Sequence, residues 1–297
     1  MTGQVLAVVN MKGGVGKTTT VVSISEALAA EGGSVLVIDV DAQASASFCL
    51  AGDELLKELI ETERTVDAFF DAALVRNKKV CSRDLIRDQV SEVTHLGRNL
   101  DISLFASSAN LRIAEREIIC TLTERNFSLL GIEGQTKILL KHELDQLRTF
   151  YTHIIFDCAP GISAFTSAAV ALADLIIVPT LPDFLSHLGL TAFMKSVLSD
   201  IDREGGNGAR RPHVLVTRKR NTREHNRYHQ LLKVEAAKPG APFKLFDTHV
   251  PEAAAWPSAI SMINEYPAFS QKYPGPLGNV LSNIIEEVKE ALDAPGD

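Results

Sequence analysis

A short apolar run, Val5–Val9, leads into Met11-Lys12-Gly13-Gly14-Val15-Gly16-Lys17-Thr18-Thr19, and a helical pattern carrying Val21, Ile24 and Leu28 follows. Few features narrow the choice of fold as much as this one. A buried strand that breaks at a glycine-rich turn and opens a helix is the setting of a phosphate-binding loop. Glycines let backbone N–H groups converge on phosphate oxygens without a Cβ in the way. The helix that follows turns its positive end toward the same anion. In such a loop Lys17 neutralises the β- and γ-phosphates and the Thr18 hydroxyl ligates Mg²⁺, so ATP or ADP with Mg²⁺ is the expected ligand. Lys12, Gly13, Gly14, Val15, Gly16, Lys17, Thr18 and Thr19 are the candidate contacts.

Gly32-Gly33 stops the helix, and Val35–Ile38 reads as a second buried strand ending in Asp39, which completes a βαβ unit. Further strands are expected at Leu100–Phe105, His153–Phe156, Leu175–Val178, Val214–Thr217 and Lys244–Phe246. Helices are expected at Leu55–Ile60, Ile113–Leu122, Ile138–Leu147 and Val280–Leu292. Strand and helix alternating over the whole length predict an α/β fold, a doubly wound and mostly parallel sheet flanked by helices. Ligands of such sheets sit beyond the carboxyl ends of the strands. Because the site draws on both halves of the chain, residues 1–297 are read as one domain, with a helical segment of unassigned role at about 51–98. Gly205-Gly206-Asn207-Gly208 reads as a surface loop.

The strand His153–Phe156 ends in Asp157, the form of a Walker B element, which holds Mg²⁺ through water. The loop beyond it, through Pro160 and Gly161, is placed to respond to the γ-phosphate.

Composition excludes several classes. No apolar run reaches the roughly 20 residues of a membrane span. The N-terminus lacks the basic start of a secretion signal, so the cytoplasm is the expected compartment. Cys49, Cys81, Cys120 and Cys158 are dispersed, with no C-x-x-C pair, as in a reduced protein. The net charge is −7, yet Arg210–Lys233 holds eight Lys/Arg against the single acid Glu224. A basic stripe on an acidic body can meet a polyanion.

The ordinary loop pattern requires glycine where Met11 stands, and a second lysine, Lys12, follows it. This K-G-G-x-G-K-T-T form resembles the ParA/MinD family of P-loop ATPases. The segments Phe105–Leu111, Ala114–Glu117, Val178–Asp183, Leu188–Leu190 and Thr248–Ala253 are similar to family segments as well. The resemblance implies that Lys12 reaches across an ATP-dependent homodimer to the partner's nucleotide. It implies that Asp41, in Asp39-Val40-Asp41-Ala42-Gln43, positions the hydrolytic water and that Asp39 supports the metal through water. Val250 and Pro251 would lie near adenine. Arg218, Lys219, Arg220, Arg223 and Arg227 would bind double-stranded DNA without sequence preference, placing the ATP state on the nucleoid. A ParB-like or cargo adaptor protein would stimulate slow hydrolysis, and the cargo would be a plasmid, a chromosome region or a protein assembly.

The C-terminal pattern carries Glu286, Glu287, Glu290, Asp293 and Asp297 against Lys289, a charge balance that opposes the membrane anchoring of MinD-type relatives. Three other classes compete. A protein-binding regulator would use the same switch without DNA. An electron-transfer ATPase like nitrogenase iron protein would share a cluster between subunits. A small-molecule kinase on this fold would carry the missing first glycine.

Overall fold

Leu6 and Val8 face one side of a sheet and Val5, Ala7 and Val9 the other, all fully buried. This two-sided burial is what a strand without polar alternation requires, and it holds for most of the sheet. The structure is a computed structural model that describes residues 2–161, 163–203, 211–252 and 268–294. Among these, seven strands form one parallel sheet: β1 (Gln4–Val8), β2 (Val35–Val40), β5 (Ile102–Phe105), β6 (His153–Cys158), β7 (Leu175–Thr180), β8 (His213–Val216) and β9 (Lys244–Leu245). Their spatial order is β5-β2-β6-β1-β7-β8-β9. The short strands β3 (Thr94–His95) and β4 (Arg98–Asn99) form a separate antiparallel pair.

The helices are α1 (Lys17–Ala30), α2 (Ser45–Glu61), α3 (Val66–Phe70), α4 (Leu111–Glu124), α5 (Leu129–Leu147), α6 (Ala164–Leu172), α7 (Phe184–Arg203), α8 (Arg223–Ala236), α9 (Phe269–Lys272) and α10 (Pro276–Asp293). One core joins the sheet to Leu111 and Ile118 of α4, Leu140 and Leu144 of α5 and Phe165 of α6. The other joins it to Val21, Ile24 and Leu28 of α1 and to Leu281, Ile284, Ile285 and Val288 of α10. The expected strands stand within a few residues of where the pattern put them, and each expected helix lies inside an observed one, but α2 and α5 begin well before the expected Leu55 and Ile138, at Ser45 and Leu129. The segment 51–98 is helical only in part. After α2 and α3 come one π-helical turn at Asp71–Val75, a 3₁₀ turn at Ser82–Asp84 and the β3–β4 pair. The loop 205–208 lies outside the described residues, as does Ala253.

The chain leaves β1 for β2 and β5 on one side, returns through β6, and then fills β7, β8 and β9 on the other. The crevice at this reversal opens beside the end of β1, where the glycine loop begins. The helix after that loop is fixed from below. Glu26 of α1 is buried and accepts hydrogen bonds from Lys272 Nζ (2.6 Å) and the Tyr273 hydroxyl (2.7 Å). Removing only the second donor, in Tyr273→Phe, is expected to cost about 1–2 kcal/mol in urea unfolding. A loss under about 0.3 kcal/mol would mean the hydroxyl adds nothing to the Lys272 pair.

Candidate nucleotide site

Gly14 (φ +74°) and Gly16 (φ +90°) adopt left-handed backbone, which a side chain disfavours, and this bends the chain into a loop before α1. A Cβ placed on Gly13 or Gly14 would meet nothing within 4 Å, so this exposed part of the loop is open to a ligand's approach. Val15 anchors it by full burial. Lys17, at the first turn of α1, is 7% exposed, and its Nζ donates to the Lys12 carbonyl (3.1 Å). Burial draws the Lys17 ammonium below its ordinary pKa, while Asp157 and Asp41 pull it the other way. A cation held among carboxylates at a helix N-terminus is poised for phosphate oxygens.

Asp157 stands beneath this loop. Its Oδ2 accepts from the Thr18 hydroxyl (2.7 Å), and its buried Oδ1 has no hydrogen-bond partner among the described residues. Burial, with Asp39 next in weight, pushes the Asp157 carboxyl well above the usual range. A buried acceptor without a donor is costly unless a ligand or water completes it. Thr18 and Asp157 therefore fit a hydrated divalent cation, which these two residues would help to hold. No group of three His, Cys, Asp or Glu among the described residues could hold a metal ion by itself.

Asp39 pairs in register with Asp157 on the neighbouring strand. Its carboxylate oxygens both hold local structure. Oδ1 accepts from the Asp41 N–H (3.0 Å), and Oδ2 accepts from both the N–H (2.9 Å) and hydroxyl (2.7 Å) of Ser47. Burial lifts its pKa to about 6 against these bonds. Through these bonds Asp39 builds the turn that carries Asp41. Asp41, 9% exposed, accepts from the Gln43 N–H (2.9 Å). It lines a cleft of about 360 Å³ together with Glu115, Pro160, Gly161 and Ser163. Asp41 and the loop after β6 thus face one space.

Lys12 lies in cis. Its Nζ donates to the Ser186 hydroxyl (2.8 Å) and sits 3.5 Å from Asp183, at the start of α7. The basic stripe divides. Arg218 reaches back to the loop, its Nη1 donating to the Gly14 carbonyl (3.3 Å). Arg218 and Arg220 both pair with Glu252. The five-residue surface expected from the sequence is thus partly committed: Arg223 and Arg227 are exposed on α8, while Lys219 is half-buried. Val250 is buried, and Pro251 bridges Lys219 at the edge of the sheet, which brings both beside the turn that touches the loop. Sequence reasoning missed Thr217, whose hydroxyl donates to the Val15 carbonyl (2.7 Å), and Ser47.

A family described as an AAA domain matches residues 3–204. The chain belongs to it, as a ParA/MinD-type P-loop ATPase. Sporulation initiation inhibitor protein Soj of Bacillus subtilis strain 168 is 28% identical over 195 residues, 66% of this chain and 65% of Soj. Chromosome partitioning protein ParA of Caulobacter vibrioides is 30% identical over 196 residues, 65% of this chain and 62% of that protein. The chain therefore spans a little under two thirds of these relatives' lengths. Among solved structures, the ATP complex of an aspartate-to-alanine McdA from Cyanothece superposes with a TM-score of 0.65 at 19% identity, covering 99% of this chain and 97% of that one. A plasmid partition protein of Borrelia burgdorferi bound to AMPPNP gives 0.62 at 19%, covering 96% and 99%. A cobyrinic acid a,c-diamide synthase of Mycobacterium smegmatis with ATP analog and magnesium gives 0.64 at 21%, covering 99% of both. These likenesses establish the fold. The family match stops before the basic stripe and before Val250.

Proposed function

We propose that the chain binds and slowly hydrolyses Mg-ATP, pairs with a second copy when ATP is bound, and in that state binds duplex DNA nonspecifically to position a cargo. One observation carries the nucleotide reading: Thr18 donates to Asp157 beneath a two-lysine glycine loop, and the other Asp157 oxygen has no partner among the described residues. Mg²⁺ there would bridge phosphate oxygens and neutralise their charge. Lys17 binds the phosphates, Thr18 and Asp157 seat the cation, and Asp41 orients a water toward the γ-phosphate.

Pairing is supported by the surroundings of Lys12. Phe184, Leu185 and Leu188, beside the Ser186 that holds it, are 55%, 66% and 58% exposed, and Met11 is 43% exposed. An apolar rim around a cation at the mouth of the site suits a second copy better than water. To reach a partner's nucleotide, Lys12 would leave Ser186 and Asp183. ATP would then be part of the interface, and hydrolysis would weaken it. The partition role draws on the resemblance to Soj and ParA, and a ParB-like or cargo adaptor as activator belongs to the same reading.

A regulator that binds protein instead of DNA is the second reading. It is favoured by Glu252, which pairs with both Arg218 and Arg220, offsets one of their two charges and leaves a smaller basic face. The deciding experiment is duplex-DNA binding with ATP and with ADP at two salt concentrations, on an Asp41→Ala protein that holds the ATP state. Expected is ATP-dependent binding that falls about tenfold or more between 50 and 200 mM salt, as phosphate contacts dictate. ATP-dependent dimers with no DNA affinity in either state would select the regulator.

A further inference from the structure

The end of β8 fastens the glycine loop at two consecutive carbonyls. The Thr217 hydroxyl donates to Val15 O at 2.7 Å, and Arg218 Nη1 donates to Gly14 O at 3.3 Å. Thr217 is itself fixed: it is 3% exposed and its N–H donates to the Thr180 carbonyl on β7 (2.9 Å). Arg218 has left-handed backbone, φ +51°, unusual for a side chain of its size. Such a conformation costs on the order of 1 kcal/mol and persists where neighbours over-determine it. Here they do: Lys219 N–H donates to Val250 O (2.9 Å), Glu252 N–H donates to Lys219 O (3.0 Å), and Glu252 Oε1 accepts from Arg218 Nη2 (3.0 Å). The strained turn aims the guanidinium at the loop.

A trans peptide is planar, with the C=O of one residue opposed to the N–H of the next. Drawing Gly14 C=O toward Arg218 turns the Val15 N–H away from β8. Drawing Val15 C=O toward Thr217 does the same for the Gly16 N–H. Both amides then point away from β8, in a loop where a Cβ on the exposed Gly13 or Gly14 meets nothing within 4 Å. A free loop of three glycines would have to lose this freedom on binding.

We propose that Thr217 and Arg218 are positioning residues of the phosphate cradle: they preorganise the Val15 and Gly16 amides toward the nucleotide's phosphates, and Arg218 serves the nucleotide rather than DNA. The proposal rests on the chain's reading as a nucleotide-binding protein, and it is independent of the DNA reading. It also explains why one turn bears both the loop contacts and Thr222, whose hydroxyl caps α8 by accepting from the His225 N–H (3.2 Å).

The test is equilibrium titration of Thr217→Val, Thr217→Ser, Arg218→Ala and wild type with fluorescent ADP, with thermal unfolding of each protein in the absence of nucleotide. Valine preserves the buried shape and removes the donor; serine restores the donor. Expected are about tenfold weaker ADP binding for T217V, about three- to tenfold for R218A, and T217S within threefold of wild type. Nucleotide-free melting temperatures should move little, which separates positioning from a merely structural role. ADP affinity within twofold of wild type in both T217V and R218A would overturn the proposal. So would an R218A protein with normal ADP affinity and weakened duplex-DNA binding. If wild type itself bound neither ADP nor ATP, the nucleotide reading would fall instead, a result distinct from either.

Discussion

Lys17→Gln is expected to weaken ADP and ATP binding by roughly 100- to 1,000-fold, in line with the effect of truncating one member of a buried, hydrogen-bonded charge pair. The size follows from where the ammonium sits. Lys17 is 7% exposed, at the N-terminus of α1, with Asp157 and Asp41 as its carboxylate neighbours. Without its charge, Asp157 and Asp41 would meet the phosphates with no buried cation beside them, and the more exposed Lys12 and Arg218 would offset their repulsion only in part. Glutamine keeps a polar reach toward the Lys12 carbonyl, which Lys17 now contacts at 3.1 Å, so the loop should keep its shape. The check is titration with fluorescent ADP beside a melting curve of the nucleotide-free protein. An affinity loss below fivefold would assign the binding energy to the loop amides and the α1 dipole. Thr217→Val should then become the larger of the two effects.

The parts of this site legible in the sequence are those that depend on neighbours in the chain. Strand, glycines, Lys17 and Thr18 follow one another, and the left-handed turns at Gly14 and Gly16 need glycine for a local reason. Asp157 was legible because an apolar strand must end somewhere and an acid at its tip is visible. Contacts between distant segments were not. Thr217 lies 202 residues from Val15 and is one of many threonines at the end of a strand. Lys272 lies 246 residues from Glu26, and no periodicity links them. Asp39 illustrates a different limit. Its place at the end of β2 was legible, but which donors its oxygens meet depends on what the fold supplies. Ser47, at the start of α2, supplies two. The arginine stripe was read as charge alone. Glu252 shows why that is insufficient: a single acid from another segment redirects Arg218 and Arg220, and the positive φ of Arg218 cannot be read from its identity.

Asp41→Ala is expected to lower steady-state ATP turnover about 100- to 1,000-fold while leaving ATP affinity within about threefold, the effect of removing a group that orients or accepts a proton from the attacking water. The separation of the two parameters follows from the geometry. Phosphate and cation contacts belong to the glycine loop, Thr18 and Asp157, whereas Asp41 faces the cleft beside Pro160 and Gly161. Its own backbone is held from the other side, by Asp39 Oδ1 at 3.0 Å, so an alanine there leaves the β2 turn intact. The same variant should accumulate ATP-bound dimers, because the step that would release them is slowed while binding is not. Single-turnover hydrolysis and light scattering with ATP measure the two effects separately. Turnover within fivefold of wild type would place the water elsewhere in the cleft, with Glu115 the nearest remaining acid along its wall. A parallel loss of ATP affinity would instead mean that Asp41 acts on the ground state, through its charge on Lys17, and its catalytic assignment would be withdrawn.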